Sequence, residues 1–250
     1  MHRYSARKIS EITINPLTDS VTSVVPAPDD FVIESIFESA FMQPLKYLAR
    51  KYGMYFMHAS SVALDPMHGV VFLGDQHAGK STMALTLLLD GYYYVAEESP
   101  AVSIRDGRPV LLGFPEPLGV SKKSLGNFPQ LAKYCAGSTG PYLKHRIKFE
   151  TISAGGTLDV CHPVAVFFPE YREDGSLQFM ELDKVESLRR ILGLELEVYP
   201  DEYNRKLSQK HMNALGILVQ NTRSYRLLYN DSHLSDIPDR ITSLLTDGLT

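Results

Sequence analysis

The stretch Gly69-Val-Val-Phe-Leu-Gly74-Asp75-Gln76-His77-Ala78-Gly79-Lys80-Ser81-Thr82 decides how this chain is read. Val70, Val71, Phe72 and Leu73 form a short apolar run, the pattern of a buried strand. The run ends at Gly74, and four residues later comes Gly79-Lys80-Ser81. Beyond it Met83, Ala84, Leu85, Leu87, Leu88 and Leu89 read as a largely buried helix, with Gly91 where a helix stop is expected. Strand, glycine-bounded loop and helix in this order are the context that the phosphate-loop pattern G-x-x-x-x-G-K-[ST] requires. Glycines at both ends let the backbone curl around an oxyanion, and the N–H groups of the loop and of the new helix point at it. The candidate nucleotide-binding residues are therefore Gly74, Asp75, Gln76, His77, Ala78, Gly79, Lys80, Ser81 and Thr82. Lys80 is expected on the β- and γ-phosphates as a point charge, the Ser81 hydroxyl on Mg²⁺, and Thr82 near the α-phosphate.

Composition narrows the rest. With 250 residues, 44% of them hydrophobic, the chain can bury a full core and is expected to form one domain over 1–250. Its parts read as N-terminal strands and a helix (1–53), a nucleotide-binding core (54–182) and a helical C-terminal part (183–250). The net charge of −4 gives no bulk attraction to nucleic acid or an acidic membrane. Cys135 and Cys161 lack metal-site spacing and suit a reducing compartment. The polar start Met1-His-Arg-Tyr-Ser-Ala-Arg-Lys8 lacks the apolar core of a signal peptide, and no run reaches membrane-spanning length, so a cytoplasmic location is expected.

Along the chain, strands are expected within 9–25, over 54–64, at 92–96 and in a hairpin turning at Asp106-Gly107. Further strands are expected at 147–149, 164–168, 177–182 and 225–229. Helices are expected at 31–48, near 184–192 and 201–219, and from about Ser235. Pro44 would kink or split the first of them. Residues 121–135 read as a loose helix or a loop.

Most nucleoside triphosphatases of this loop class carry a metal-holding aspartate at the end of a second apolar strand. Here the best such strand, Val164–Phe168, runs into Pro169-Glu170. The strand after the loop helix instead ends in two carboxylates, Tyr94-Val95-Ala96-Glu97-Glu98. Phosphoryl transfer has two tasks for carboxylates, metal ligand and base for the acceptor hydroxyl, and one adjacent pair can hold both. A solvated strand end is the alternative reading.

These residues resemble the HPr kinase/phosphorylase family, whose phosphate-loop core is shared with phosphoenolpyruvate carboxykinase. The resemblance covers about 55–104 and is carried by His58-Ala59-Ser60, Gly74-Asp75-x-x-x-Gly79-Lys80-Ser81, Gly91 and Val95-Ala96-Glu97-Glu98. A proline-containing segment, Gly113-Phe-Pro-Glu-Pro117-Leu-Gly119, adds a weaker match. The resemblance implies an α/β fold with a mixed β-sheet core and flanking helices, ATP and Mg²⁺ as cofactors, and transfer of the γ-phosphoryl group to a serine hydroxyl. Among relatives the chain looks most like the short kinases that modify lasso-peptide precursors, which implies a peptide or small-protein acceptor, no nucleic acid and no membrane. A homo-oligomer is left open. Glu97 is assigned as the base and Glu98 as joining Ser81 on the metal, with the reverse split open; by the resemblance His58 sits with Lys80 at the transferred group, and a half-buried strand histidine is its alternative reading. The chain also departs from the family. Gln76-His77 replaces Ser-Gly, Glu97-Glu98 replaces Asp-Asp, Thr82 replaces an acidic residue, and the family's C-terminal motif is not found. HPr as substrate and the reverse phosphorolysis are therefore in doubt. The longer side chains of the Glu pair demand a shifted metal or acceptor position, and a nucleotide-binding regulatory protein or a small-molecule kinase on the same core are the alternatives. His77 reads equally as a phosphate contact and as a solvated loop residue. Lys144-His145-Arg146-x-Lys148 and Lys122-Lys123 read first as solvated faces and second as clamps for phosphate or an acidic peptide.

Overall fold

The structure, a computed structural model, describes residues 11–15, 18, 20–24, 42–114, 116–135, 145–148, 152, 155–194 and 205–246. It divides into two compact units, Met1–Tyr55 and Phe56–Thr250. In the first, β1 (Glu11–Asn15) and β2 (Ser20–Val24) pair as an antiparallel ribbon. Helix α1 (Gln43–Ala49) follows and tightens into a 3₁₀ turn that ends at Gly53. Pro44 stands in the first turn of α1, where a missing N–H costs nothing. The part of the expected helix at 31–41 lies outside the described residues. Strand β3 (Tyr55–Phe56) lies where the two units join in sequence.

The second unit is built on a six-stranded mixed sheet. Its strands are β4 (Ala59–Ala63), β5 (Gly69–Leu73), β6 (Tyr93–Glu97), β12 (Pro163–Tyr171), β13 (Gln178–Leu182) and β14 (Arg223–Tyr229). They lie in the order β13-β14-β12-β5-β4-β6. Strands β5, β12 and β14 run parallel, whereas β4 is antiparallel to both β5 and β6. The ends of β5, β6, β12 and β14 and the start of β4 consequently share one edge of the sheet. All five residues of β4 and of β5 are buried, as expected for central strands covered on both faces.

One face is covered by α2 (Lys80–Leu89) and α6 (Ile237–Thr246). Phe72, Phe167, Tyr225, Met83, Leu87 and Ile241 belong to the core there, with Phe167 stacked on Tyr225 at 5.2 Å between ring centroids. Tyr92 and Tyr94 of the tyrosine triplet, each 1% exposed, join this core. Helix α2 stops as its sequence predicts: Gly91 has φ 101°, a left-handed conformation that costs a glycine little. Near the opposite face, α5 (Arg205–Asn221) packs on α4 (Lys184–Leu194) and on the hairpin of β7 (Ala101–Arg105) and β8 (Arg108–Leu112). Strand β11 (Val160–Cys161) pairs with β8.

The segment read as a loose helix or loop is ordered into α3 (Lys122–Asn127) and a 3₁₀ turn, Pro129–Tyr134. It follows β9 (Leu118–Val120), which pairs antiparallel with β10 (His145–Ile147). Cys135 and Cys161 are both free and buried, and burial pushes the Cys161 thiol up to about 12. Among the described residues, no helix is long and apolar enough to cross a membrane.

Candidate functional site

The phosphate-loop pattern occupies the expected place, between β5 and the first turn of α2. The Lys80 side chain folds back over the loop: Nζ donates to the carbonyls of Gly74 at 2.8 Å and Asp75 at 3.1 Å. The Ala78 N–H closes a turn onto the Asp75 carbonyl at 3.1 Å, and the Met83 N–H begins the helical ladder on the Gly79 carbonyl at 2.9 Å. The N–H groups of His77, Gly79 and Ser81 donate to no protein group among the described residues. A loop curled by its own lysine, with amides in hand at a helix N-terminus, is the arrangement that accepts an oxyanion. Gly79 has φ 106° and His77 φ 68°. A histidine is unfavourable in that left-handed region, so the loop stores backbone strain there. Asp75, Gln76 and His77 are exposed, and Ser81 and Thr82 are half-buried in the first turn of α2.

Sheet register brings the acidic strand end to this loop. Ala59 pairs with Leu73 and Ser60 with Glu97, so His58, Gly74 and Glu98 fall at the same edge of three adjacent strands. His58 and Glu98 each stand at the centre of a three-residue turn, closed by Ala59 N–H on Met57 O at 3.0 Å and by Ser99 N–H on Glu97 O at 2.8 Å. The Met57 N–H donates to the Pro100 carbonyl at 2.9 Å and ties the two turns together. With φ 66° at Glu98, the second turn is the rare, strained kind. The two side chains meet with His58 Nδ1 at 3.8 Å from Glu98 Oε2, and both are partly open to solvent.

Glu97 faces the other way, into the protein. It is 2% exposed, and its Oε2 accepts the Gly119 N–H at 2.8 Å. Its own N–H donates to the Tyr94 hydroxyl at 3.0 Å, which in turn donates to the Glu116 carbonyl at 2.9 Å. Burial first, then the charges of Glu97 and Glu116, push the Tyr94 phenol far above its ordinary value, so it stays a donor. The weakly matching segment at 113–119 thus lies against the end of β6. A side chain at Gly113 would come within 2.4 Å of the Leu158 carbonyl and 2.8 Å of the Val95 carbonyl. A carboxylate closed in this way cannot take a proton from an acceptor hydroxyl unless that segment moves, whereas Glu98 can.

The strand beside the loop carries no metal-binding acid. At the end of β12, Glu170 accepts two hydrogen bonds from Arg226, both 2.7 Å, and one from Arg190 at 3.2 Å. Arg226, then Arg190, hold its carboxyl below the usual range. Arg172 also lies 3.4 Å from Glu170. Among the described residues, no cluster of three metal-ligating side chains stands ready-made. The oxygens of Ser81 and Glu98 are accessible at the loop edge and suit a hard cation that takes most of its ligands from phosphate and water.

Tyr229 at the end of β14 escaped the sequence reading. Its ring closes the outer side of the loop: a Cβ placed on Gly79 would lie 1.9 Å from the Tyr229 hydroxyl. The same hydroxyl makes a long hydrogen bond, 3.4 Å, to the Ala78 carbonyl. No motif marks it, because the contact joins residues 151 positions apart. Only the parallel pairing of β14 with β12 and of β12 with β5 brings them together.

No family model matches the sequence, and no curated protein matches it. Among solved structures, the chain is similar to the Hpr(Ser) kinase/phosphatase from Coxiella burnetii, with 11% identity and a TM-score of 0.39, over 77% of this chain and 95% of that one. A likeness this distant is silent on chemistry; the candidate site is the loop with His58, Glu98 and their neighbours.

Proposed function

We propose that this chain is a kinase that uses ATP and Mg²⁺ to phosphorylate a serine hydroxyl on a peptide or small protein. The observation that carries the reading is the convergence, at one sheet edge, of a curled phosphate loop with an accessible carboxylate–imidazole pair, Glu98 and His58. The loop amides and Lys80 hold the β- and γ-phosphates, with Lys80 exchanging its carbonyl partners for phosphate oxygens. Thr82 lies toward the α-phosphate. Ser81 is the protein ligand of the metal, with Glu98 in reach of the same region; a bound Mg²⁺ neutralises charge on the transferring group. In this reading Glu98, rather than Glu97, accepts the proton of the attacking serine. His58 beside it orients the carboxylate and offers a positive or hydrogen-bonding group to the transferred phosphoryl oxygens. Glu97 positions the strand end by holding the Gly119 amide. Lasso-peptide precursors are the acceptor class that the sequence resemblance suggests.

The burial of Glu97 also favours a second reading, a nucleotide-binding regulatory protein, since it leaves one carboxylate where two tasks are expected. Mass spectrometry of a serine peptide incubated with the protein, ATP and Mg²⁺ separates the two. A phosphate-sized mass gain that disappears in Lys80→Ala and Glu98→Gln supports the kinase. ATP bound without any gain, on peptides drawn from the neighbouring genes, overturns it in favour of the regulatory protein.

A further inference from the structure

Between Glu116 and Glu150 the sequence holds six cationic side chains, Lys122, Lys123, Lys133, Lys144, Arg146 and Lys148, and no carboxylate, in a chain of net charge −4. The described part of this segment is β9, α3, the 3₁₀ turn and β10, and it is anchored on one side only. Leu118, Val120, Phe128, Leu131 and Ile147 are buried in the same core as α2. Lys122, Lys123, Lys133, Arg146 and Lys148 are exposed.

Elsewhere five arginines are paired with acids, whereas Lys184 donates to the carbonyls of Val219 and Thr222. Arg172, Arg190 and Arg226 lie on Glu170, Arg189 on Glu186, and Arg223 on Glu181. Among the described residues, Lys122, Lys123, Lys133 and Arg146 reach no carboxylate. Lys123 lies over the Tyr171 ring at 3.7 Å, Lys133 over the Tyr134 ring at 4.7 Å, and Arg146 donates to the Pro117 carbonyl at 3.2 Å. Such a face attracts an anionic partner; the carboxylate bonded at it, Asp231, accepts from Asn127 Nδ2 at 2.8 Å and from the Tyr171 hydroxyl at 3.0 Å.

The segment also touches the site at two points. Gly119, paired with Arg146 across the ribbon, donates its amide to Glu97. The Tyr171 ring beneath Lys123 packs edge-on against Tyr229, which covers Gly79 of the loop. An anion held here lies beside the phosphate loop and the Glu98 turn. We propose that the exposed cations of this segment's described part, Lys122, Lys123, Lys133 and Arg146, form the docking surface for the acceptor, and that the acceptor carries an acidic stretch next to its serine. The proposal rests on the kinase reading and adds the substrate class. An acidic peptide fits better than a nucleic acid. The described aromatic rings of the segment, Phe128 and Tyr134, are buried or half-buried rather than displayed for base stacking, and the chain as a whole is anionic.

The test uses the full chain and a fluorescein-labelled serine peptide flanked by glutamates. Its controls are the same peptide with glutamines, a single-stranded DNA of matched charge, and a separate titration of ATP. The glutamate peptide is expected to bind, and to bind about tenfold more weakly to Lys122→Gln/Lys123→Gln/Arg146→Gln, with ATP affinity unchanged. If that triple variant unfolds, Lys122→Gln and Arg146→Gln singly are expected to weaken the peptide about two- to threefold each. Equal binding of the glutamine peptide, or no effect of the substitutions, overturns the proposal. Tighter binding of the DNA overturns it in favour of a nucleic-acid surface. Peptide binding lost in the variant, in a protein that never binds ATP, supports the surface and sinks the kinase reading alone.

Discussion

The glycine-rich loop after β5 and the acidic end of β6 lie at one edge of the same sheet, with β4 between them, and are held in different ways. Between Gly74 and Lys80 the chain closes on itself, with Lys80 donating to two carbonyls five and six residues earlier. Glu97 and Glu98 are adjacent in sequence but are parted by tertiary contacts: Glu97 turns inward to the amide of Gly119, 22 residues later, and Glu98 turns outward to His58. A loop built from local bonds keeps its chemistry wherever a strand and a helix flank it. A pair of identical side chains acquires two roles only from what surrounds each of them.

The largest effect that tests this contrast is Lys80→Ala, which removes both the loop's internal clasp and its phosphate charge. Phosphoryl transfer to the peptide is expected to fall by about 10³, measured by the mass gain on serine. Glu98→Gln is expected to slow transfer by about 10²-fold or more with ATP affinity nearly unchanged, since the lost group acts on the hydroxyl proton. Glu97→Gln should do the reverse. It keeps most of the transfer rate and lowers stability by about 1–3 kcal/mol, because a neutral amide replaces a buried charge-assisted acceptor. If Glu97→Gln abolishes transfer while Glu98→Gln spares it, the division of roles is broken.

Gly79→Ala forces a methyl group into the Tyr229 hydroxyl and a side chain onto φ 106°. It is expected to destabilise the protein by about 1–3 kcal/mol and to weaken ATP binding, both seen in thermal unfolding with and without nucleotide. A third carboxylate at the same sheet edge, Glu170, sharpens the comparison through pH. Its folded-state pKa is depressed by Arg226 and Arg190. The unfolded chain therefore binds the proton first as pH falls, and the pair's stabilisation is present above the ordinary carboxylate value of about 4.3 and lost below it. Denaturant midpoints of wild type and Glu170→Gln are expected to converge as pH drops through that window. Tyr229→Phe is the mildest change. The ring still fills its place and only the 3.4 Å contact to Ala78 goes, so ATP affinity is expected to fall no more than about fivefold, under about 1 kcal/mol.

Much of the fold could be read along the chain because its signals are local. The strand into the phosphate loop, the stop at Gly91, the hairpin at Asp106-Gly107 and the helices at 184–194 and 237–246 each follow from apolar periodicity or a turn residue. Residues 121–135 were ambiguous because a six-residue helix and a 3₁₀ turn show too few periods to register, and packing of Phe128 and Leu131 into the core is what orders them.

Sequence by itself determined that a glycine-bounded loop with the pattern G-x-x-x-x-G-K-S joins a buried strand to a buried helix, since that arrangement needs only neighbours to form. It also marked His58 and the Glu97-Glu98 pair as candidates. Tertiary structure decided which glutamate is available, that Tyr229 covers the loop, and that Glu170 is engaged by arginines. The physical reason is that burial and hydrogen-bond partners set a side chain's chemistry. Here those partners come from strand register and from segments tens of residues away, where no spacing along the chain records them.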